Sequence, residues 1–364
     1  MQAQFFPSRR IALYTARMFL VRTLAVLLML VVILQALDLL AEAGRILAVP
    51  GNGDHDVWRY VSLRTPQLIA RFLPFSVLLG TLITFATLSQ NSEVVAIKAS
   101  GISAHQILAP FVLAGALIAV ASFAFNERFV TRATRTLSAW EAVGYGPVAT
   151  GPAGVTNIWV RSGDDLVRAR SVAGSGAATR LSGVTIFRRE GGVLRQIVEA
   201  QDARPDATGW RLERVRTFDV ATGAIRREAV ATTDARLTSD QFTLAAIDAD
   251  AQSFGTVRAS LGALRAADRP TGSLETGMWH KLSGPASAML MPLLAAIAAF
   301  GLARAGQLFV RAVIGMALGF TYFVADNFAL AMGDLGAYPP LLAAWAPFLL
   351  FLLIGETVLI RTEE

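Results

Sequence analysis

Three arginines, Arg128, Arg132 and Arg135, follow an apolar run at spacings of four and three residues. On a continuing helix those spacings bring three guanidiniums to one face. Guanidinium forks suit phosphate, so the stripe reads as a lipid-phosphate contact or as a solvated face that anchors the span before it. Four more charges lie in or beside apolar runs: Asp38, Arg71, Asp326 and Glu356. Charge at membrane depth is costly and marks a pathway or a contact inside a bundle. Asp38 and Arg71 sit near the ends of their runs, within reach of a lipid. Asp326, beside Asn327 in "VADNFAL", hydrogen-bonds across the bundle, faces a wet cavity, or carries a proton in a coupled carrier.

The common catalytic patterns are missing. His55, His105 and His280 are scattered, and no H-E-x-x-H occurs. "GDHD" around His55 suits a solvated loop better than a metal site. There is no G-x-S-x-G elbow and no phosphate-binding loop of the G-x-x-x-x-G-K-[ST] type. With no cysteine in the chain, disulfides and thiolate chemistry are excluded. No catalytic residue, metal ligand or bound cofactor is therefore expected, and any ATP must bind on another chain.

"SEVVAIKASGIS" (92–103) stands between two of the most apolar runs. It reads as a short helix with Glu93 and Lys98 as its charges and Val94, Val95, Ile97 and Ala99 as small apolar positions. Gly101 is a natural stop, and the next span begins after Ser103. Such a helix either lies on the membrane or inserts into a groove on a partner. One acid and one base attract anionic lipid weakly, so a partner is the better fit, and that partner can supply the ATP.

These groups need a membrane scaffold to place them. Of 364 residues, 54% are hydrophobic and 16% charged, against about 25% charged in a soluble domain. Six runs reach the length of a membrane span: Phe19–Leu40, Leu68–Leu88, Ile107–Phe125, Leu282–Ala303, Ala312–Met332 and Tyr338–Ile360. The formal charge of +6 comes almost wholly from arginine, Lys98 and Lys281 being the two lysines. No nucleic-acid motif accompanies it. Arg9, Arg10, Arg17, Arg304, Arg311 and Arg361 fall on one side of six spans, which positive-inside bias makes cytoplasmic. Both termini and the 92–103 helix are then cytoplasmic.

Residues 127–276 read differently. Turn signals at 162–165, 190–192, 207–209 and 221–223 separate strand-like runs such as "NIWV", "GVTIF", "VLRQIVEA" and "WRLERV". This spacing suits an all-β domain, an antiparallel sandwich or jellyroll-like, extracytoplasmic by topology. The fold class is thus membrane α-helical with an inserted β domain: 1–126 with three spans and a helix at about 90–104, 127–276 the β domain, and 277–364 the last three spans. In "GVTIF", Val184, Ile186 and the stem of Arg188 alternate onto one face that could line an acyl-chain groove.

"LPFSVLLGTLITFATLSQNSEVVAIKASGIS" (73–103) resembles the hallmark region of the LptF/LptG permeases, also called the YjgP/YjgQ family. The pattern falls on Ser92, Glu93, Ala99 and Gly101, and the order of three spans, β domain and three spans extends the likeness over the whole chain. The run "YFVADNFALAMGDLGAYPPLLAAWAP" resembles the second-named paralogue; the first-named is the alternative. The resemblance implies a bacterial inner-membrane subunit that pairs with an LptF-type permease and binds an LptB-type ATPase dimer, which uses ATP and magnesium. It implies extraction of lipopolysaccharide from the outer leaflet and transfer, through the periplasmic β domain, to an LptC-type bridge. Ser92, Glu93, Lys98, Ala99, Ser100 and Gly101 would form the ATPase-coupling helix, with Glu93 as its docking acid. Where some relatives carry a basic residue near the end of span one, this chain has Gln35 and Glu42, so lipid contacts of such a residue do not carry over. A proton-coupled carrier working through Asp326 and Glu356 leaves the 92–103 helix and the β domain without a purpose. A membrane-anchored scaffold leaves six spans unexplained.

Overall fold

The computed structural model describes residues 8–147, 155–173, 179–206, 209–234, 249–266, 270–300 and 308–361. Arg304 lies outside them, as do parts of the stretches that lead into and out of the β region. The described elements run α1 (Arg9–Leu47), α2 (Asp54–Gln90), α3 (Glu93–Ala99), α4 (Ala104–Phe125), a π-helical turn (Asn126–Val130), α5 (Thr131–Ala142). Next come β1 (Val155–Ser162), β2 (Asp165–Ala173), β3 (Arg180–Glu190), β4 (Val193–Asp206), β5 (Gly209–Asp219) and β6 (Ile225–Asp234). Last are α6 (Phe254–Ala266), α7 (Gly272–Phe300), α8 (Leu308–Asp334) and α9 (Pro340–Arg361). The chain divides into two compact units, one of Met1–Glu42, Trp58–Thr134 and Ala249–Glu364, the other of Ala43–Val57 and Arg135–Asp248.

The first unit is a helical bundle. Among the described residues six helices are long and apolar enough to cross a membrane, the third running from Ala104 to Ala142 as one continuous rod. The sequence expectation ended that span at Phe125, where polar residues begin. The helix continues because Thr131 Oγ1 donates to the Asn126 carbonyl at 2.6 Å, the acceptor five residues back that a π-turn presents. α7 is the central element: 72% of its span window is buried, against 17% for α1. Leu290, Leu294, Ala295, Ala296 and Ala298 are all within 1% of full burial. In lipid the driving force between helices is close packing, which small residues permit. Gly115 shows how tight this is, since a Cβ there would lie 2.8 Å from the Ala288 carbonyl oxygen of α7. Phe111 completes the contact by stacking on Phe85 at 4.8 Å and meeting Phe19 at 5.5 Å.

The second unit carries one six-stranded antiparallel sheet in the order β1-β2-β3-β4-β5-β6. Within 127–276, strand residues thus run from Val155 to Asp234, with helix on both sides. The inserted β domain is present, and its described strands follow one another as a meander. The turns explain it: β1–β2, β3–β4 and β4–β5 are joined by two residues each, too few to cross over a neighbour. Gly163, Gly191 and Gly192 take positive φ in the first two of these turns, and Gly223 does so in the five-residue β5–β6 turn. Asp219 closes the β5–β6 turn, its Oδ1 accepting from Thr222 N at 3.0 Å, Thr222 Oγ1 at 2.9 Å and Ala221 N at 3.1 Å. These bonds, Thr222's above all, hold its carboxyl below the usual value. One face of the sheet forms a single apolar cluster that includes Val167, Leu181, Val184, Ile186, Trp210 and Leu212.

Candidate functional site

α3 is seven residues long, too short to persist on its own; tertiary contact holds it. Val94 and Ile97, three apart on one face, pack with Ile102 against the bundle core. The opposite face is open: Val95 is 67% exposed, and Ala96, Lys98 and Ala99 are exposed with it. Both ends are backbone-defined. Ser92 precedes the helix in the left-handed region, φ 59°, with its side chain making no capping bond. Gly101 follows at φ 86°, and its N–H bonds the Lys98 carbonyl at 3.0 Å, a stop for which glycine has no steric cost. Ser100 Oγ donates to the Ile97 carbonyl at 2.7 Å. Glu93 is half-buried, its Oε1 accepting from Asn91 Nδ2 at 3.2 Å and lying 3.5 Å from the Tyr14 hydroxyl. Ser103 and Gln106 then form a reciprocal capping box that starts α4.

Within the same unit, a cavity of about 540 Å³ opens among α2, α4, the π-turn, α5, α7 and α8. Its lining mixes apolar groups such as Leu73, Phe75 and Phe323 with Arg71, Asn126, Glu127, His280, Lys281 and Asp326. Two prolines shape it. Pro74 and Pro285 are interior to α2 and α7, and each lacks the N–H that would bond the carbonyl four residues back. Those carbonyls belong to Ala70 and Lys281, both of which also line the cavity. Glu127 is engaged: its two oxygens accept from Phe254 N at 3.0 and 2.9 Å, capping α6, and Lys281 Nζ stands 3.8 Å away. Ser283 Oγ lies 3.4 Å from His280 Nδ1. Asp326 is 9% exposed.

The other sequence candidates fall into different settings. Arg71 lines the cavity and is exposed. Asp38 is held by Arg64 and Tyr60 and does not line the cavity. Arg128, Arg132 and Arg135 are all exposed, but the cavity face of this rod is Ser122, Asn126, Val130 and Thr134, with Phe123, Glu127 and Thr131 beside it. Arg128, Arg132 and Arg135 are not among the residues that line the cavity. Val184 and Ile186 are 2% and 3% exposed inside the sheet's apolar cluster. Arg188 is exposed instead, at a register shift between Arg188 and Arg189 that ends the alternation. Glu356 meets His105, Oε2 to Nε2 at 3.4 Å.

Sequence reasoning missed Tyr60, Arg64, Gln67, Glu127 and Lys281. The first three are spaced four and three apart on α2, a stripe that periodicity could have found. Glu127 and Lys281 gave no such signal, because their partners lie 127 and 154 residues away in the chain.

The model of the family described as "Lipopolysaccharide export system permease LptF/LptG" matches residues 13–361. The Lipopolysaccharide export system permease protein LptG of Escherichia coli (strain K12) is 27% identical over 353 residues, covering 93% of this chain and 94% of the relative. Its namesake from Haemophilus influenzae is 25% identical over 331 residues, covering 86% and 89%.

Proposed function

Because this chain belongs to the LptF/LptG family of lipopolysaccharide export permeases, we propose that it is the subunit that converts ATP hydrolysis on a cytoplasmic partner into extraction of lipopolysaccharide from the inner membrane. It is a multi-pass membrane permease subunit of that export system. The observation that carries the coupling role is α3: a helix packed on the bundle through Val94 and Ile97 while Val95, Ala96, Lys98 and Ala99 face outward. A rigid lever of this kind transmits a push from a groove that grips its open face to the core beneath.

The remaining steps follow the family. An LptF-type permease pairs with this chain, two LptB-type ATPases bind below, and ATP and magnesium stay on those subunits. The LptG-type identity is supported by the names of the relatives. Both termini and α3 face the cytoplasm, and the sheet faces the periplasm. There its edge strands β1 and β6 suit pairing with an LptC-type bridge. Each acyl methylene exposed to water costs about 0.8 kcal/mol, so the glycolipid needs an apolar path, and the cluster around Val184 and Ile186 is the place for it. Arg128, Arg132 and Arg135 meet lipid phosphates on the way. Copurification of the full-length chain with a soluble ATPase tests the reading; an intact permease that captures no ATPase would overturn it.

A further inference from the structure

The bundle cavity is lined by two ionisable groups, Asp326 and Arg71, that no hydrogen bond or ion pair among the described residues engages. Asp326 is more than nine-tenths buried, at 9% exposure, and lines the cavity. Among the described residues it accepts no hydrogen bond and joins no ion pair; His280 and Tyr322, both in the lining, act on it through space alone. Burying a carboxyl without a donor is costly, so a donor from outside the chain is the natural complement. Arg71, exposed at the same cavity, likewise has no hydrogen bond or ion pair among the described residues. Two other carboxyls line the cavity: Glu127 is taken by Phe254 N and Lys281, and Asp250 is engaged as well.

We propose that this cavity binds a phospholipid headgroup that joins a phosphate to a primary ammonium. The phosphate rests on Arg71 at the rim, the ammonium enters to Asp326, and the chain origin lies along Leu73, Phe75 and Phe323. A primary ammonium offers three N–H donors. Asp326 takes one, and the carbonyls of Ala70 and Lys281, which Pro74 and Pro285 deprive of the N–H four residues on, take the others. A quaternary ammonium has no N–H to give, and a glycerol headgroup has no cation. The apolar lining selects a lipid over the free headgroup. The proposal stands on the interior of one chain and does not rest on the export reading.

The test is native mass spectrometry of the full-length chain in detergent, titrated with dioleoyl phosphatidylethanolamine, phosphatidylcholine or phosphatidylglycerol. Wild-type protein should retain one phosphatidylethanolamine with about tenfold preference over both others, the factor given by about one charge-assisted hydrogen bond. Asp326→Asn should abolish the preference, and Arg71→Gln should lower retention of phosphatidylethanolamine and phosphatidylglycerol together. Soluble O-phosphoethanolamine, the free-headgroup source, should not displace the lipid; displacement by it would overturn the assignment to a lipid. Equal retention of all three lipids by wild-type protein, which no folding defect can mimic, would overturn the site.

Discussion

Arg64 grips Asp38 with two nitrogens, Nε to Oδ2 at 3.1 Å and Nη2 to Oδ1 at 3.2 Å, while the Tyr60 hydroxyl adds a 2.6 Å bond to Oδ2. The same guanidinium donates from Nη1 to Gln67 Oε1 at 2.8 Å, and Gln67 Nε2 donates to Thr134 at 3.1 Å. One network thus ties α1, α2 and α5 together near the ends of their spans.

Arg64→Ala should therefore destabilise the bundle. The pair is mostly shielded, with side chains 31% and 22% exposed, and the mutation strands a carboxylate. The cost should be about 1–3 kcal/mol, read as a lower thermal midpoint in detergent. Asp38→Asn, which keeps an acceptor for Tyr60, should cost less. An unchanged midpoint in Arg64→Ala would mean the network is ornamental.

Two positions on α3 should separate docking from folding. Val95 points outward and Ile97 inward. Val95→Asp should leave the thermal midpoint in place and lose the copurifying ATPase, whereas Ile97→Asp should lower the midpoint. Glu93→Ala should weaken ATPase capture, since removing one partner of a desolvated charged bond costs on the order of 2–5 kcal/mol. Full ATPase yield with both Val95→Asp and Glu93→Ala would place docking elsewhere.

Gly115→Val should part α4 from α7, because the new Cβ meets the Ala288 carbonyl oxygen and Met289 Cα, both backbone atoms. Overpacking of this kind costs about 1–3 kcal/mol. Gly44→Ala, with open space around it, is the matched control and should be neutral in the same thermal assay.

Photocrosslinkers at Val184 and Ile186 should report on the β domain. Both are nearly sealed, so adducts to lipid require the apolar cluster to open. The account expects lipid adducts that grow with ATP. Adducts to protein alone would make the sheet a docking module. A companion probe beside Arg128 and Arg132 should lose lipid adducts when both become Gln, with the ATPase still bound.

Much of this architecture could be read from residues in order along the chain. Apolar length gave the six spans, and glycine-bearing turns gave the strands, with Gly163 and Gly191 landing where two-residue hairpins need positive φ. α3 was legible from Gly101 and the charges at Glu93 and Lys98. What stayed hidden depends on partners distant in sequence. Arg64, which clasps Asp38, lies 26 residues on. The arginine spacing assumed an unbroken α-helix, and no local propensity announces the π-turn at Asn126–Val130. The order of the strands was not legible, because strand count and turn spacing are the same for a meander and a jelly roll.

The coupling of ATP to lipid movement through α3 is most directly tested in proteoliposomes holding lipopolysaccharide, this chain, its partner permease and the ATPase. Transfer of lipopolysaccharide to a periplasmic acceptor is measured by photocrosslinking, with and without ATP, for wild-type protein and Val95→Asp. The account predicts ATP-dependent transfer in wild type and none in the variant, with the permease pair still assembled. Transfer by Val95→Asp at the wild-type rate, or transfer driven by a proton gradient without ATP, would contradict it.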